Sequence, residues 1–114
     1  MAWTYILIAS VMEIIWSIGI KQLHQPGKTW TWGPPTIIAM VLTYVLLFLA
    51  VKSLEIGTAY AVWTGIGAAG TAILGILLLG ESVSAIKIAS IFLIVAGIVG
   101  LALVPEKSPL SPGS

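Results

Sequence analysis

The sequence predicts an all-α membrane protein with four transmembrane helices. Of its 114 residues, 59% are hydrophobic and only 8% are charged, and the mean hydropathy is +1.11. A soluble domain needs roughly a quarter of its residues to be charged. The apolar residues form four long runs, and only helices or closed barrels pair all their backbone polar groups inside lipid. Because the runs are too long and continuous for barrel strands, we predict helices.

The four runs form one domain, residues 1–105, followed by a short tail. The predicted spans lie at approximately 2–20, 36–51, 56–79 and 86–104. At 1.5 Å per residue the first span is roughly 28 Å long, close to the hydrocarbon thickness of a bilayer. The tail, residues 106–114, is rich in proline and serine, and we predict that it is disordered.

Each span has its own boundary signals. The first carries Glu13 in its core and lacks a basic start, which argues against a cleaved signal peptide. The second follows the pair Pro34-Pro35 and ends before Lys52, where a short connection predicts an antiparallel neighbour. The third carries no charge and is rich in glycine, and the fourth stops at Pro105.

The composition excludes several classes of function. The chain has no cysteine, so neither disulfides nor thiolate chemistry are available. It has no basic cluster that would bind nucleic acid, no metal-ligand cluster, no phosphate loop and no nucleophile–base pair, and His24 is a lone loop histidine. We therefore expect no enzymatic activity, no metal and no cofactor.

The lysines do not define an orientation in the membrane. With four spans, Lys52 and Lys107 lie on the face of the termini, and Lys21, Lys28 and Lys87 lie on the other. So even a distribution gives the positive-inside rule no firm answer. Either another cue orients the chain, or the chain inserts both ways, which would allow an antiparallel dimer.

Glu13 is the only ionisable side chain well inside a predicted span. A charge at mid-membrane costs at least ~2.5 kcal/mol, and a low dielectric favours the neutral carboxyl group. Such a group can carry a proton between the two faces, or bind a cation in place of the proton. The alternative is a carboxylate that only hydrogen-bonds a neighbouring helix. Because the other acids lie in loops, we favour a functional role.

Polar and aromatic side chains are expected to line a site around Glu13. Ser10 and Ser17 share its helical face, either as hydrogen-bond donors or as small residues at a helix contact. Aromatic rings inside the spans attract desolvated cations, although packing would also explain them. The predicted lining residues are Ser10, Trp16, Ser17, Thr43, Tyr60 and Trp63.

Small residues mark two further features. Gly65 and Gly67 weaken the third helix and predict a hinge, unless they serve close packing. Ala96, Gly97 and Gly100 give the fourth helix a small-residue surface, which predicts a helix–helix contact within or between subunits.

These features together resemble a known family, the small multidrug resistance exporters. The chain combines four short spans, Glu13 in the first, Lys21 eight residues later, and the third-span string GTAYAVWTGIG over residues 57–67. The resemblance extends from Met1 to about Val104 and is highly specific.

The resemblance implies a proton-coupled antiporter that works as an antiparallel homodimer, with protons as the coupling ion. The two Glu13 carboxylates would share one site, for which protons and cationic substrate compete. Tyr60 and Trp63 match the family's aromatic lining, Gly65 and Gly67 its hinge, and the fourth helix its dimer contact. Some members pair two related chains, so a heterodimer is the alternative.

Within the family, the chain resembles the guanidinium exporter subtype at position 16, where both have a tryptophan. This subtype generally has glycine where the chain has Ser10, and serine where it has Thr43. A planar guanidinium suits a bidentate contact with a carboxylate.

The leading hypothesis is therefore proton-coupled export of guanidinium or small guanidinyl cations across the bacterial cytoplasmic membrane. The first alternative is export of quaternary ammonium or polyaromatic cations, as in drug resistance. The second is a helical subunit that scaffolds a larger membrane complex without transporting anything.

Overall fold

The computed structural model describes residues 2–104, which fold into four α-helices. No strand occurs in this part of the chain. All four helices are long and apolar enough to cross a membrane, which confirms the predicted all-α, four-span class. The helices are α1 (Ala2–Leu23), α2 (Thr29–Ala50), α3 (Ile56–Leu79) and α4 (Ala85–Leu103). The predicted tail, 106–114, lies outside the described residues.

The start of α2 differs most from the sequence prediction. The second span was placed at 36–51, after the proline pair, but α2 begins at Thr29. Prolines in a helix leave the carbonyl groups one turn earlier without donors. Those carbonyls belong to Trp30 and Thr31, which are exposed in the first turn of α2. The helix therefore tolerates the pair near its start.

The ends of α3 and α4 follow from local capping. Gly80 ends α3 in the left-handed region (φ 66°), a conformation that glycine adopts without steric cost. The Ser84 hydroxyl then accepts a hydrogen bond from the Lys87 backbone N–H at 3.1 Å, which caps the start of α4.

Helix α1 packs against both α2 and α3, and α3 packs against α4. The buried core lies at one end of the three-helix unit, where α1 and α3 begin and α2 ends. It contains Ile6, Ala9, Ala50, Leu54, Ala59, Val62 and Trp63. This arrangement brings the middle of α1, with Glu13, against the middle of α3.

Helix α4 is peripheral. It packs on α3 alone, and none of its residues is buried. An apolar helix with this much uncovered surface has either lipid or another protein chain around it.

Candidate functional site

The carboxylate of Glu13 lies directly against the backbone of α3. A Cβ atom at position 67 would stand 2.6 Å from its Oε1 and 2.7 Å from its Oε2. Only glycine leaves this space, so Gly67 sets how closely the carboxylate approaches α3. The neighbouring contact, Ile14 against Gly70, fixes the register of the two helices.

Glu13 has no partner that would neutralise it within residues 2–104. Its Oε2 is buried and accepts no hydrogen bond from any of these residues. One ion pair in this part of the chain joins Lys87 to Glu81 at 3.6 Å, at the start of α4, and does not involve Glu13. The alternative that Glu13 merely hydrogen-bonds another helix therefore finds no support in this structure.

A buried chain of two hydrogen bonds joins three helices beside Glu13. The Trp63 Nε1–H of α3 donates to the Thr43 hydroxyl of α2 at 2.8 Å. That hydroxyl donates to the Ala9 carbonyl of α1 at 2.7 Å. In an α-helix the same carbonyl accepts the backbone N–H of residue 13. These two hydrogen bonds thus hold the Trp63 ring at a fixed position relative to the turn that carries Glu13.

Removing the Thr43 hydroxyl from these two hydrogen bonds is expected to lower the stability of the protein. Thr43→Val keeps the shape of the side chain but leaves the Trp63 indole N–H buried without an acceptor. We expect the free energy of unfolding to fall by roughly 1–3 kcal/mol, measured by denaturation of the purified protein in detergent. Thr43→Ser should retain most of the stability. Ser90→Ala is the control, because that exposed hydroxyl bonds only to its own helix.

Aromatic rings surround Trp63 on two sides. Tyr60 lies edge-on with ring centroids 5.4 Å apart, as the sequence pair suggested. Tyr44 of α2 makes a similar edge contact at 5.5 Å. The sequence analysis missed Tyr44, although an aromatic residue next to Thr43 in an uncharged span was a usable signal. Both tyrosines are about half exposed, so their rings remain accessible from outside the chain.

The remaining predicted lining residues have different placements. Ser10 was proposed as a donor to the carboxylate, but its buried hydroxyl donates to the Ile6 carbonyl of its own helix at 2.8 Å. The physical reason is that a helical serine can always satisfy itself one turn earlier. Ser17 is half-buried on α1 and makes no hydrogen bond to Glu13. Trp16 buries its Nε1–H without an acceptor among the described residues.

Another unpartnered polar group comes from a residue that the sequence analysis missed. The hydroxyl oxygen of Thr71, on α3, is buried and finds no partner among residues 2–104. Thr71 follows Gly67 by four residues, which is one helical turn. That spacing was visible in the sequence, but only the contact between Glu13 and Gly67 gives it meaning.

The two predicted hinge glycines both lie at packed positions in an uninterrupted α3. A Cβ at position 65 would stand 3.0 Å from the Cδ1 atom of Ile98 on α4, and Gly67 faces Glu13. Close packing, the alternative to a hinge, is therefore what this structure contains. The hinge stays a prediction.

The small-residue surface of α4 is not used within the described chain. Ala96, Gly97 and Gly100 are all exposed. A Cβ added at either glycine would meet nothing within 4 Å among the described residues. Of the two predicted possibilities, a contact within or between subunits, the contact within the chain does not occur among residues 2–104.

The part of the chain described contains few side chains of the kinds that bind metal ions. No group of three or more His, Cys, Asp or Glu residues there could hold a metal ion. The groups available to the candidate site are the Glu13 carboxylate, the unpartnered polar groups of Trp16 and Thr71, and the ring cluster of Tyr44, Tyr60 and Trp63.

Comparisons with known proteins agree with these features. Residues 1–94 match the profile of the Small Multidrug Resistance protein family. The chain is 55% identical over 103 residues to the guanidinium exporter of Yersinia pseudotuberculosis serotype I (strain IP32953), covering 90% of this chain and 98% of that protein. It is 52% identical to the guanidinium exporter of Salmonella typhimurium (strain LT2) and 50% identical to that of Escherichia coli (strain K12). Each of these two matches also spans 103 residues, 90% of this chain and 97% of the relative.

Proposed function

Because this chain belongs to the Small Multidrug Resistance protein family, we propose that it exports guanidinium or small guanidinyl cations in exchange for protons. It is a multi-pass membrane protein, and we place it in the bacterial cytoplasmic membrane. The observation that carries the proposal is the Glu13 carboxylate, held against α3 with its Oε2 buried and unpartnered. The names of the relatives support guanidinium as the cation.

The chemistry of exchange follows from one carboxylate in a low dielectric. Away from water, the charged form needs a positive partner, and the neutral form needs a proton. A guanidinium ion offers two parallel N–H groups to the two carboxylate oxygens. A proton and the cation are then rival occupants of Glu13, so release of one accompanies binding of the other. Exchange of the two across the membrane couples export to the proton gradient.

The aromatic cluster gives the cation its walls. The half-exposed rings of Tyr60 and Tyr44 attract a desolvated cation by about 2 kcal/mol or more for a well-placed ring, and the buried Trp63 ring packs behind them. The Trp63 ring is held by Thr43, so it is preorganised before the cation arrives. The same rings would also suit a quaternary ammonium ion, which is why that class remains the alternative substrate.

We further propose that two copies assemble as an antiparallel homodimer. One chain leaves α4 without a buried residue, and its small-residue surface without a contact. It also leaves Tyr44 and Tyr60 half exposed beside Trp63. A second copy would cover both surfaces, and the even distribution of lysines is compatible with insertion in both orientations. A heterodimer with a related chain is the alternative.

Transport currents test the substrate class. Protein in proteoliposomes on a solid-supported membrane is expected to give currents on addition of guanidinium, because two protons, one from each Glu13 of the proposed dimer, exchange for one monovalent cation and so move net charge. Tetraalkylammonium ions should give much smaller currents. A response to tetraalkylammonium with none to guanidinium would reverse the assignment. The absence of any substrate-dependent proton movement would favour a scaffold role.

A further inference from the structure

Thr71 is one of two threonines whose buried hydroxyls make no hydrogen bond within residues 2–104; the other, Thr36 of α2, lies against Gly19 of α1. Three serine or threonine hydroxyls donate to a carbonyl one turn earlier, at 2.7–2.8 Å. They belong to Ser10, Thr64 and Ser90. The corresponding acceptor for Thr71 is the carbonyl of Gly67, yet the buried Thr71 oxygen makes no hydrogen bond within residues 2–104. The Thr71 hydroxyl can therefore form a hydrogen bond with a group from outside residues 2–104, such as a bound ligand.

The register of the helices places this hydroxyl on the Glu13 side of the contact between α1 and α3. Gly67 touches Glu13, whereas Gly70 touches Ile14 on the other side of that contact. Around the helix, Thr71 is displaced from Gly67 by about 40°, in the direction away from Gly70. A helical side chain also leans toward the N-terminal end of its helix. Thr71 therefore leans over the turn at Gly67, where the carboxylate lies.

The chemistry of a bound guanidinyl cation requires such a group. The carboxylate engages the N–H groups along one edge of the planar cation, and N–H groups elsewhere on it stay unpaired. An unpaired donor in a low dielectric is costly. The indole of Trp16 cannot help, since it is a donor only. A hydroxyl can accept.

We infer that Thr71 is a substrate-binding residue, whose hydroxyl accepts a hydrogen bond from a guanidinyl N–H while Glu13 holds the opposite charge. This inference rests on the proposed function and extends it to a residue on α3. It also gives the site a preference that aromatic rings cannot provide. Cations that keep free N–H groups gain from Thr71, and quaternary ammonium ions, which have none, do not.

Two substitutions at position 71 separate a hydrogen-bonding role from a packing role. Thr71→Val keeps the volume and removes the hydroxyl, whereas Thr71→Ser keeps the hydroxyl and removes a methyl group. The half-saturating guanidinium concentration would be measured from transport currents of each purified variant. We expect Thr71→Val to raise it about fivefold, the factor that one neutral hydrogen bond supplies. Thr71→Ser should stay close to the parent protein, as should Ser90→Ala, a control on α4.

The opposite order of the two variants would overturn the inference. If Thr71 only filled space, valine would be tolerated and serine would weaken binding. Unchanged guanidinium currents in Thr71→Val would equally remove Thr71 from the site, while leaving the proposed function in place. A parent protein that gives no guanidinium current would overturn the proposed function itself, and this inference with it. Thermal unfolding in detergent would show that each variant is folded.

Discussion

Replacing Glu13 with glutamine is expected to abolish proton-coupled export while leaving the protein inserted and folded. Glutamine has nearly the same shape, but it neither carries a proton between the two faces nor opposes the charge of a cation. A hydrogen bond to a charged group contributes about 1.5–3 kcal/mol, so guanidinium affinity should fall by roughly ten- to a hundredfold. Uphill accumulation of guanidinium against its gradient, driven by an imposed pH difference in proteoliposomes, should disappear entirely.

The matched control for this substitution is Glu81→Gln. Glu81 is also a glutamate, but it lies just after the end of α3, is partly exposed and pairs with Lys87. The loss of such a surface ion pair costs little stability. Its variant should transport like the parent protein. Uphill export that persisted in Glu13→Gln would refute the mechanism, because no other acid lies within a membrane-spanning helix of the described chain.

The fold class was predictable because lipid imposes a single strong requirement. Four apolar runs of sufficient length must become helices, and the bounds predicted for α3, 56–79, coincide with those of the structure. The buried acid was predictable for the same reason: Glu13 is conspicuous in such a chain. The start of α2 was not, because the proline rule describes helix interiors and the pair lies close enough to the helix end to be accommodated.

The arrangement of the site could be predicted only in part. The contact between Tyr60 and Trp63 follows from three-residue spacing on one helix. The neighbours of Glu13 on other helices do not follow from spacing. Each helix is apolar on all sides, so no hydrophobic face indicates which residues meet across a helix contact. The sequence marks Thr43 as the polar residue in the middle of the second span, but it does not show that Thr43 bonds Trp63 and Ala9 rather than the carboxylate.

Hydroxyl groups were the least predictable feature. A serine or threonine in a helix can bond to the carbonyl one turn earlier, or to a partner across the helix contact. Ser10 takes the first course and Thr43 the second. The choice depends on whether an acceptor from another helix comes within reach, which is a property of helix register. Thr71 became a candidate only through the helix register, which brings Gly67, one turn before it, against Glu13.

Gly67→Ala is the second substitution with a large expected effect, and its cause is steric. The added Cβ would stand 2.6 Å from Oε1 and 2.7 Å from Oε2 of Glu13, closer than such atoms approach. Either the carboxylate turns away or α1 moves off α3. Alanine is the better helix former by roughly 1 kcal/mol, so the helix itself gains while the site is disrupted. We expect the half-saturating guanidinium concentration to rise at least about tenfold, equivalent to ~1.4 kcal/mol.

Two other glycines of α3 show whether this effect arises at the carboxylate. Gly57→Ala adds the same methyl group where nothing lies within 4 Å among the described residues, so guanidinium affinity should not change. At Gly65 the added Cβ meets the Cγ1 and Cδ1 atoms of Ile98 at 3.0 Å, so a small shift of that side chain on the peripheral helix α4 makes room for it. If the glycines act as a hinge, both Gly65→Ala and Gly67→Ala should slow maximal transport and leave binding intact. If Gly67 makes room for Glu13, binding should weaken in Gly67→Ala alone. Guanidinium titrations of the three variants, each followed for both affinity and maximal current, distinguish the two roles. A hinge affects the rate of exchange, whereas the contact with the carboxylate affects how tightly guanidinium binds.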